Sequence, residues 1–107
     1  MNAIEWSNGQ DSPVQTIFRG ISARQLWQGK NDAQAVIVQI EPGARWEGID
    51  FHRDNSEEVL VLAGVFNDGT RNYPAGTFIH HPIGSSHIPQ SKTGCTLFVF
   101  YPEKTIR

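Results

Sequence analysis

Gly76-Thr77-Phe78-Ile79-His80-His81-Pro82-Ile83-Gly84-Ser85-Ser86-His87 reads as one short strand between two turns, ending on a histidine. Tyr73-Pro74-Ala75-Gly76 turns the chain into Thr77–His81, and Pro82–Ser86 makes a tight loop that delivers His87. Upstream, Glu57–Phe66 contains Val-Leu-Val-Leu-Ala-Gly-Val-Phe, the strongest strand signal in the chain, and Asn67-Asp68-Gly69-Thr70 follows it as a hairpin turn. Downstream, Thr96–Tyr101 closes the pattern with Thr-Leu-Phe-Val-Phe-Tyr. Toward the N-terminus, Ala33–Ile40, Ile21–Trp27 and Val14–Phe18 repeat the design, with Gln28-Gly29-Lys30-Asn31-Asp32 as the turn between the first two of these. Arg45–His52 reads as one extended segment. No stretch keeps a helical period, and about eight to ten short strands result. The fold class is all-β, and a small antiparallel barrel hides the strand edges best. Residues 1–13 read as an N-terminal arm and residues 14–107 as a single barrel domain.

At 107 residues the chain has the size of one domain and needs no disulfide or structural metal to complete a core. A metal bound here would therefore serve function. Aromatic content of 10% excludes general disorder. Nine Lys and Arg against 11 Asp and Glu give a net charge of -2 with no basic patch, so no nucleic-acid partner is expected. No apolar run is long enough to span a membrane, no signal-peptide pattern opens the chain, and Cys95 is the single cysteine; a cytoplasmic protein is expected.

The chemistry-bearing side chains are His52, His80, His81 and His87, with Glu47, Asp50, Asp54, Glu57 and Glu58 near the first of them. Imidazole and carboxylate together suit zinc, iron, manganese or nickel, provided three or four converge. Asp50 and His52 lie two apart and share a strand face. Glu57 heads the next strand and His87 comes from a later hairpin, so three elements can aim four ligands inward. His80 and His81 are adjacent and face opposite ways; both are read as supporting or surface residues rather than ligands. Trp46, four before Asp50, is placed on the same face as a cavity wall.

The spacing Gly76-x5-Pro82-x-Gly84-x2-His87 resembles the second motif of the cupins, with Ser91 at the place of the motif's terminal asparagine. Glu57-x6-Gly64 fits the second half of the first motif, His52 falls at its second histidine, and Asp50 stands at its first. A rival frame, one residue shorter, pairs His52 with Asp54 and Glu58 but loses the six-residue gap to Gly64. The runs Glu57–Phe66, Asn72–Thr77, Pro82–His87 and Gly94–Val99 are similar to the cupin domain of ChrR-type anti-sigma factors.

The resemblance implies a double-stranded β-helix, or jelly roll, with one divalent metal on His52, Glu57, His87 and Asp50, zinc first and iron, manganese or nickel as alternatives. It implies a cavity for a small oxygen-bearing ligand, walled by Trp46 and His80. Three roles follow: a sensor or accessory metal cupin, a metal-dependent dioxygenase acting on a small dicarbonyl or enol, or a vestigial partner-binding cupin. Pairing into a homodimer is expected, with Trp6 and Trp27 at the interface. Sigma-factor binding is not expected from this chain alone, because the zinc-binding helical domain that performs it in ChrR-type proteins has no counterpart before Val14.

Overall fold

A computed structural model describes residues 3–104. Its organising element is the 11-residue strand β5 (Glu57–Asn67). Alternation sets its two faces: Glu57, Val59 and Val61 are buried, whereas Leu60 and Leu62 point outward. Ahead of it come β1 (Gln15–Phe18), β2 (Ile21–Gln28), β3 (Gln34–Ile40) and the two-residue β4 (Asp50–Phe51). After it come β6 (Asn72–Pro74), β7 (Phe78–His81), β8 (Ser86–His87) and β9 (Cys95–Tyr101).

All pairings are antiparallel. One sheet runs β1-β2-β3-β9-β5-β6, with β7 also paired to β5, and a small second sheet joins β4 to β8. The first half of β5 lies between β9 and β7, and the second half carries β6. The register shift between Val61 and Ala63 bends the strand there. Gly64 completes the bend at φ +75°, with its α-carbon against Gly94. A side chain at Gly64 would overlap the Gly94 carbonyl oxygen, so only glycine fits this close approach.

The core is a β-branched layer: Ile21, Val36, Ile40, Val59, Val61 and Val99, with Phe66, Leu97 and Cys95. Each large aliphatic side chain buried this way contributes about 1.5–3 kcal/mol. The rows across the sheet are visible in the register, Val59 opposite Val99 and Val99 opposite Val36. Residues 3–13 run beside β2, pinned by Arg24 Nη1 donating to the carbonyls of Gly9 at 3.0 Å and Ser12 at 3.1 Å.

Two segments differ from the sequence expectation. Arg45–His52 is not one strand: Arg45 makes a single bridge to Gln90 and only Asp50–Phe51 form a strand, because Gly48 between them takes positive φ and breaks the extension. Around Tyr73, a short strand forms where a turn was expected. The Asp68 carboxylate accepts hydrogen bonds from the backbone of Thr70 and Arg71 and from the Tyr73 hydroxyl, tightening the turn so that Asn72–Pro74 fold back onto Val65–Asn67.

Candidate metal centre

Four short pieces of chain converge on one point. β5 supplies Glu57 from its first residue, and β7 supplies His81, which lies opposite Glu57 in the ladder. β8 supplies His87, and His52 follows directly after β4, held by its backbone N–H donating to the Ser85 carbonyl at 2.9 Å. Each of these four side chains is buried, at 4–7% exposure. One ligand atom from each falls within 4.8 Å of every other.

Glu57 Oε1 is the common neighbour, 3.5 Å from His52 Nε2, 3.4 Å from His81 Nδ1 and 3.4 Å from His87 Nε2. These separations distinguish two readings of the cluster. A charge-assisted hydrogen bond between imidazolium and carboxylate would draw the atoms to about 2.7–2.9 Å. Ligands around a tetrahedral ion with bonds of about 2.0–2.2 Å stand about 3.4 Å apart. The Glu57–histidine spacing matches the second, while His81 Nδ1 also lies 3.2 Å from the Glu57 backbone carbonyl and His87 Nε2 3.1 Å from Asp50 Oδ2.

The electrostatics agree. Burial holds the His52 pKa below its usual value, with the His87 charge acting the same way against Asp50. Burial, then the two neighbouring histidines, push His81 down to about 4. These two rings are therefore neutral at pH 7, the form that ligates metals, and their contacts with Glu57 are not ion pairs. Burial pushes Glu57 up to about 7, against the hydrogen bond from Tyr101. Three ring nitrogens, His52 Nε2, His81 Nε2 and His87 Nδ1, are buried without a hydrogen-bond partner. Such groups normally find one; His52 Nε2 is also the atom nearest Glu57 Oε1, whereas on His81 and His87 the partnerless nitrogen is the other one of the ring. The donor set fits a divalent cation.

His52, Glu57 and His87 are thus brought together as the sequence placed them. Asp50 stands beside the group, its Oδ2 3.1 Å from His87 Nε2. His81, read from sequence as no ligand, joins the cluster. The signal for it was the strand register: a residue opposite an inward Glu57 must itself face inward. His80, expected on the cavity wall, instead faces solvent on the other side of β7, with Nδ1 2.6 Å from Glu58 Oε1. The two-residue alternation that turns His81 in turns His80 out. Asp54 is exposed and Glu58 lies with His80, so neither residue of the rival frame enters the cluster.

The centre opens onto a cavity of about 330 Å³ inside the barrel, within the range for small-molecule sites. Asp50, Glu57, His87 and Tyr101 lie on its wall, and Val36, Val59, Leu97 and Val99 supply apolar surface. Trp46 is also on the wall, set edge-on against Phe18 at a centroid distance of 4.7 Å. Trp27 packs over Phe100 at 6.5 Å, and Trp6 is 87% exposed. No helix among the described residues is long and apolar enough to cross a membrane.

A rolled antiparallel barrel with an inward histidine–glutamate cluster at its cavity defines the class: a small single-site cupin. The profile of the ChrR cupin-like domain matches residues 2–104, and the chain belongs to that family. Among solved structures, an RmlC-like cupin from Shewanella frigidimarina superposes with a TM-score of 0.78 at 25% identity, covering 94% of this chain and 92% of that one. The anti-sigma factor ChrR, in its complex with SigE from Rhodobacter sphaeroides, gives 0.73 at 25% identity, covering 87% of this chain and 50% of the matched one. KdgF from a Halomonas species shares the fold, at 18% identity and a TM-score of 0.77, over 94% of this chain and 96% of that one. A comparison with curated proteins found no match.

Proposed function

We propose that this protein is a metal-dependent ligand-binding cupin. One divalent ion, zinc first and iron, manganese or nickel next, is held by His52, Glu57, His81 and His87 at the wall of the barrel cavity, with Asp50 alongside. The observation that carries this reading is the convergence of four buried side chains on one point, with a nitrogen of each histidine 3.4–3.5 Å from Glu57 Oε1. When bound, the ion supplies Lewis-acid polarisation of a ligand oxygen. The chain's own residues do the rest. Tyr101 holds Glu57 Oε2, Asp50 offers a carboxylate oxygen next to His87, and the valine rows exclude water around the ligand's apolar part. The role is that of a sensor or accessory cupin that reports on a small oxygen-bearing molecule. Elemental analysis of protein purified without added metal, then dialysed, tests the site: about one equivalent of a first-row metal supports it, and none after reloading contradicts it.

A second reading is a dioxygenase acting on a small dicarbonyl or enol. It is favoured by the access of Glu57, His87 and Asp50 to the cavity, which leaves one side of the centre open to a second molecule. Metal-dependent oxygen uptake with small diketones would select it, and binding without turnover would select the sensor. If neither occurs, the vestigial, partner-binding reading is the one that stands.

The same reading includes a homodimer. Leu60 and Phe78 are opposite one another on the outer face of β5 and β7, and both are exposed beside Leu62. Such an apolar stripe is surface suited to an interface, separate from the anchors Trp6 and Trp27 at β2 that the sequence suggests. Sedimentation equilibrium distinguishes dimer from monomer.

A further inference from the structure

The cavity has a polar row at one end, and its order across the sheet reads as a ruler. Glu57 on β5 accepts a hydrogen bond from Tyr101 on β9 at 2.6 Å. Tyr101 lies opposite Gln34 on β3 in the ladder. Gln25 on β2, level with Val36 in the ladder, reaches diagonally to this row and donates from Nε2 to Gln34 Oε1 at 3.1 Å. Below this row the wall turns apolar, through Val59, Val99 and Val36 and then Leu97 and Val38. Strands stand about 4.8 Å apart, so Gln34 is two strands, roughly 10 Å, from the metal end.

Two features of the lining restrict what fits. Among the described residues on the wall there is no Lys or Arg, whereas Asp50 and Glu57 are both present. A divalent ion would neutralise those two carboxylates and leave no positive charge for a second anionic group. At the far end, the Gln25–Gln34 bond uses the Gln34 carbonyl and leaves the Gln34 NH₂ as donor and the Gln25 carbonyl as acceptor. A neutral primary amide or a similar donor–acceptor group is complementary to that pair, and a carboxylate is not.

We infer that the cavity selects a compact, single-ring or branched apolar ligand with oxygen atoms at one edge, facing the metal centre, and an uncharged amide- or carbonyl-type group at the opposite edge, read by Gln34 and Gln25. The inference rests on the metal reading for the first edge only. The second edge depends on the glutamines and on the absence of basic side chains.

Three probes of one shape test it: 3,4-dihydroxybenzamide, 3,4-dihydroxybenzoate and 4-methylcatechol, titrated calorimetrically into zinc-loaded and metal-free protein. The amide is expected to bind zinc-loaded protein about tenfold or more tighter than either of the others. Gln34→Leu should cut its advantage over 4-methylcatechol to about threefold or less while zinc content by elemental analysis stays at the wild-type level. The exposed Gln25→Leu, which disturbs no core contact, should act in the same direction. Benzoate binding as tightly as the amide, an amide advantage untouched by both glutamine variants, or no binding of any probe to zinc-loaded protein would each overturn the inference. Failure of the metal reading shows separately, as absence of zinc from the wild-type protein, and the amide-to-methyl ratio in metal-free protein then decides the glutamine end by itself.

Discussion

Tyr101 donates its hydroxyl hydrogen to Glu57 Oε2 at 2.6 Å, joining the last residue of β9 to the first of β5. The bond occupies one carboxylate oxygen and leaves the other, Oε1, among the three histidines. It also favours the ionised carboxylate, opposing the burial that pushes Glu57 up to about 7. Burial and the neighbouring Glu57 carboxylate push the Tyr101 hydroxyl itself well above the ordinary tyrosine range, so it stays a donor. Tyr101 is a positioning residue for the centre.

Tyr101→Phe should therefore fold, lose about 1 kcal/mol of stability, and bind zinc more weakly. Its zinc affinity should reach half-maximum at a higher pH than in wild type, because Glu57 loses the bond that lowers its pKa. Competition titrations with a chromogenic chelator across pH check this. An unchanged pH midpoint would remove Tyr101 from the account.

His81→Ala should lose tight metal binding, whereas His80→Ala should keep it. The two residues are neighbours on one strand, so the pair separates loss of a ligand from general damage to β7. His80 is exposed and bonds to Glu58 on the outer face, and its removal should change stability by less than about 0.5 kcal/mol. Equal metal content in the two variants would return His81 to a purely structural role.

The choice of Glu57 over Glu58 was legible in the sequence, through its gap to Gly64, since Gly64 marks the bend and fixes the phase of the strand. The long strands were legible for a similar reason: β3, β5 and β9 are runs of β-branched, aliphatic or aromatic residues between strong turns. His81 was not. Thr77-Phe78-Ile79-His80-His81 offers an apolar residue and a histidine on each face, so alternation alone gives no preferred phase. Only the pairing of Glu57 with His81 decides it, and that is a contact between residues 24 apart. The shortness of β4 was hidden too, because the positive φ of Gly48 is a backbone choice that a glycine permits but does not announce.

The stability of the metal-free protein should rise rather than fall with pH from about 4.5 to 6.5, because the lowered pKa values of His81 and His52 act together against the raised one of Glu57. Glu57 is raised from 4.5 to about 7, so its contribution is complete below 4.5 and is lost as pH rises through 7. His81 is lowered from 6.5 to about 4, so its contribution is complete above 6.5 and is lost as pH falls through 4. Zinc requires Glu57 ionised and His81 neutral. The increase in Tm on adding zinc should therefore grow as pH rises from 5.5 through 7 and level off above about 8. Thermal melts with and without zinc at half-unit pH steps measure it; an increment that shrinks as pH rises would show that Glu57 does not ligate.

Gly64→Ala should cost more than 2 kcal/mol or so, since the new methyl meets the Gly94 backbone at a positive φ. Gly76→Ala also sits at positive φ but meets open space, so it should cost about 1 kcal/mol. Urea denaturation of both variants checks the ranking, and equal losses would mean that close approach to Gly94 does not fix the β5 bend.

The most direct test of the metal centre is a crystal structure of the zinc-loaded protein with diffraction recorded on both sides of the zinc absorption edge. The account predicts one strong anomalous peak per chain, about 2.0–2.2 Å from a nitrogen of each of His52, His81 and His87 and from a carboxylate oxygen of Glu57. No peak at the cavity wall, or a peak with His81 turned away and out of bonding distance, would contradict it.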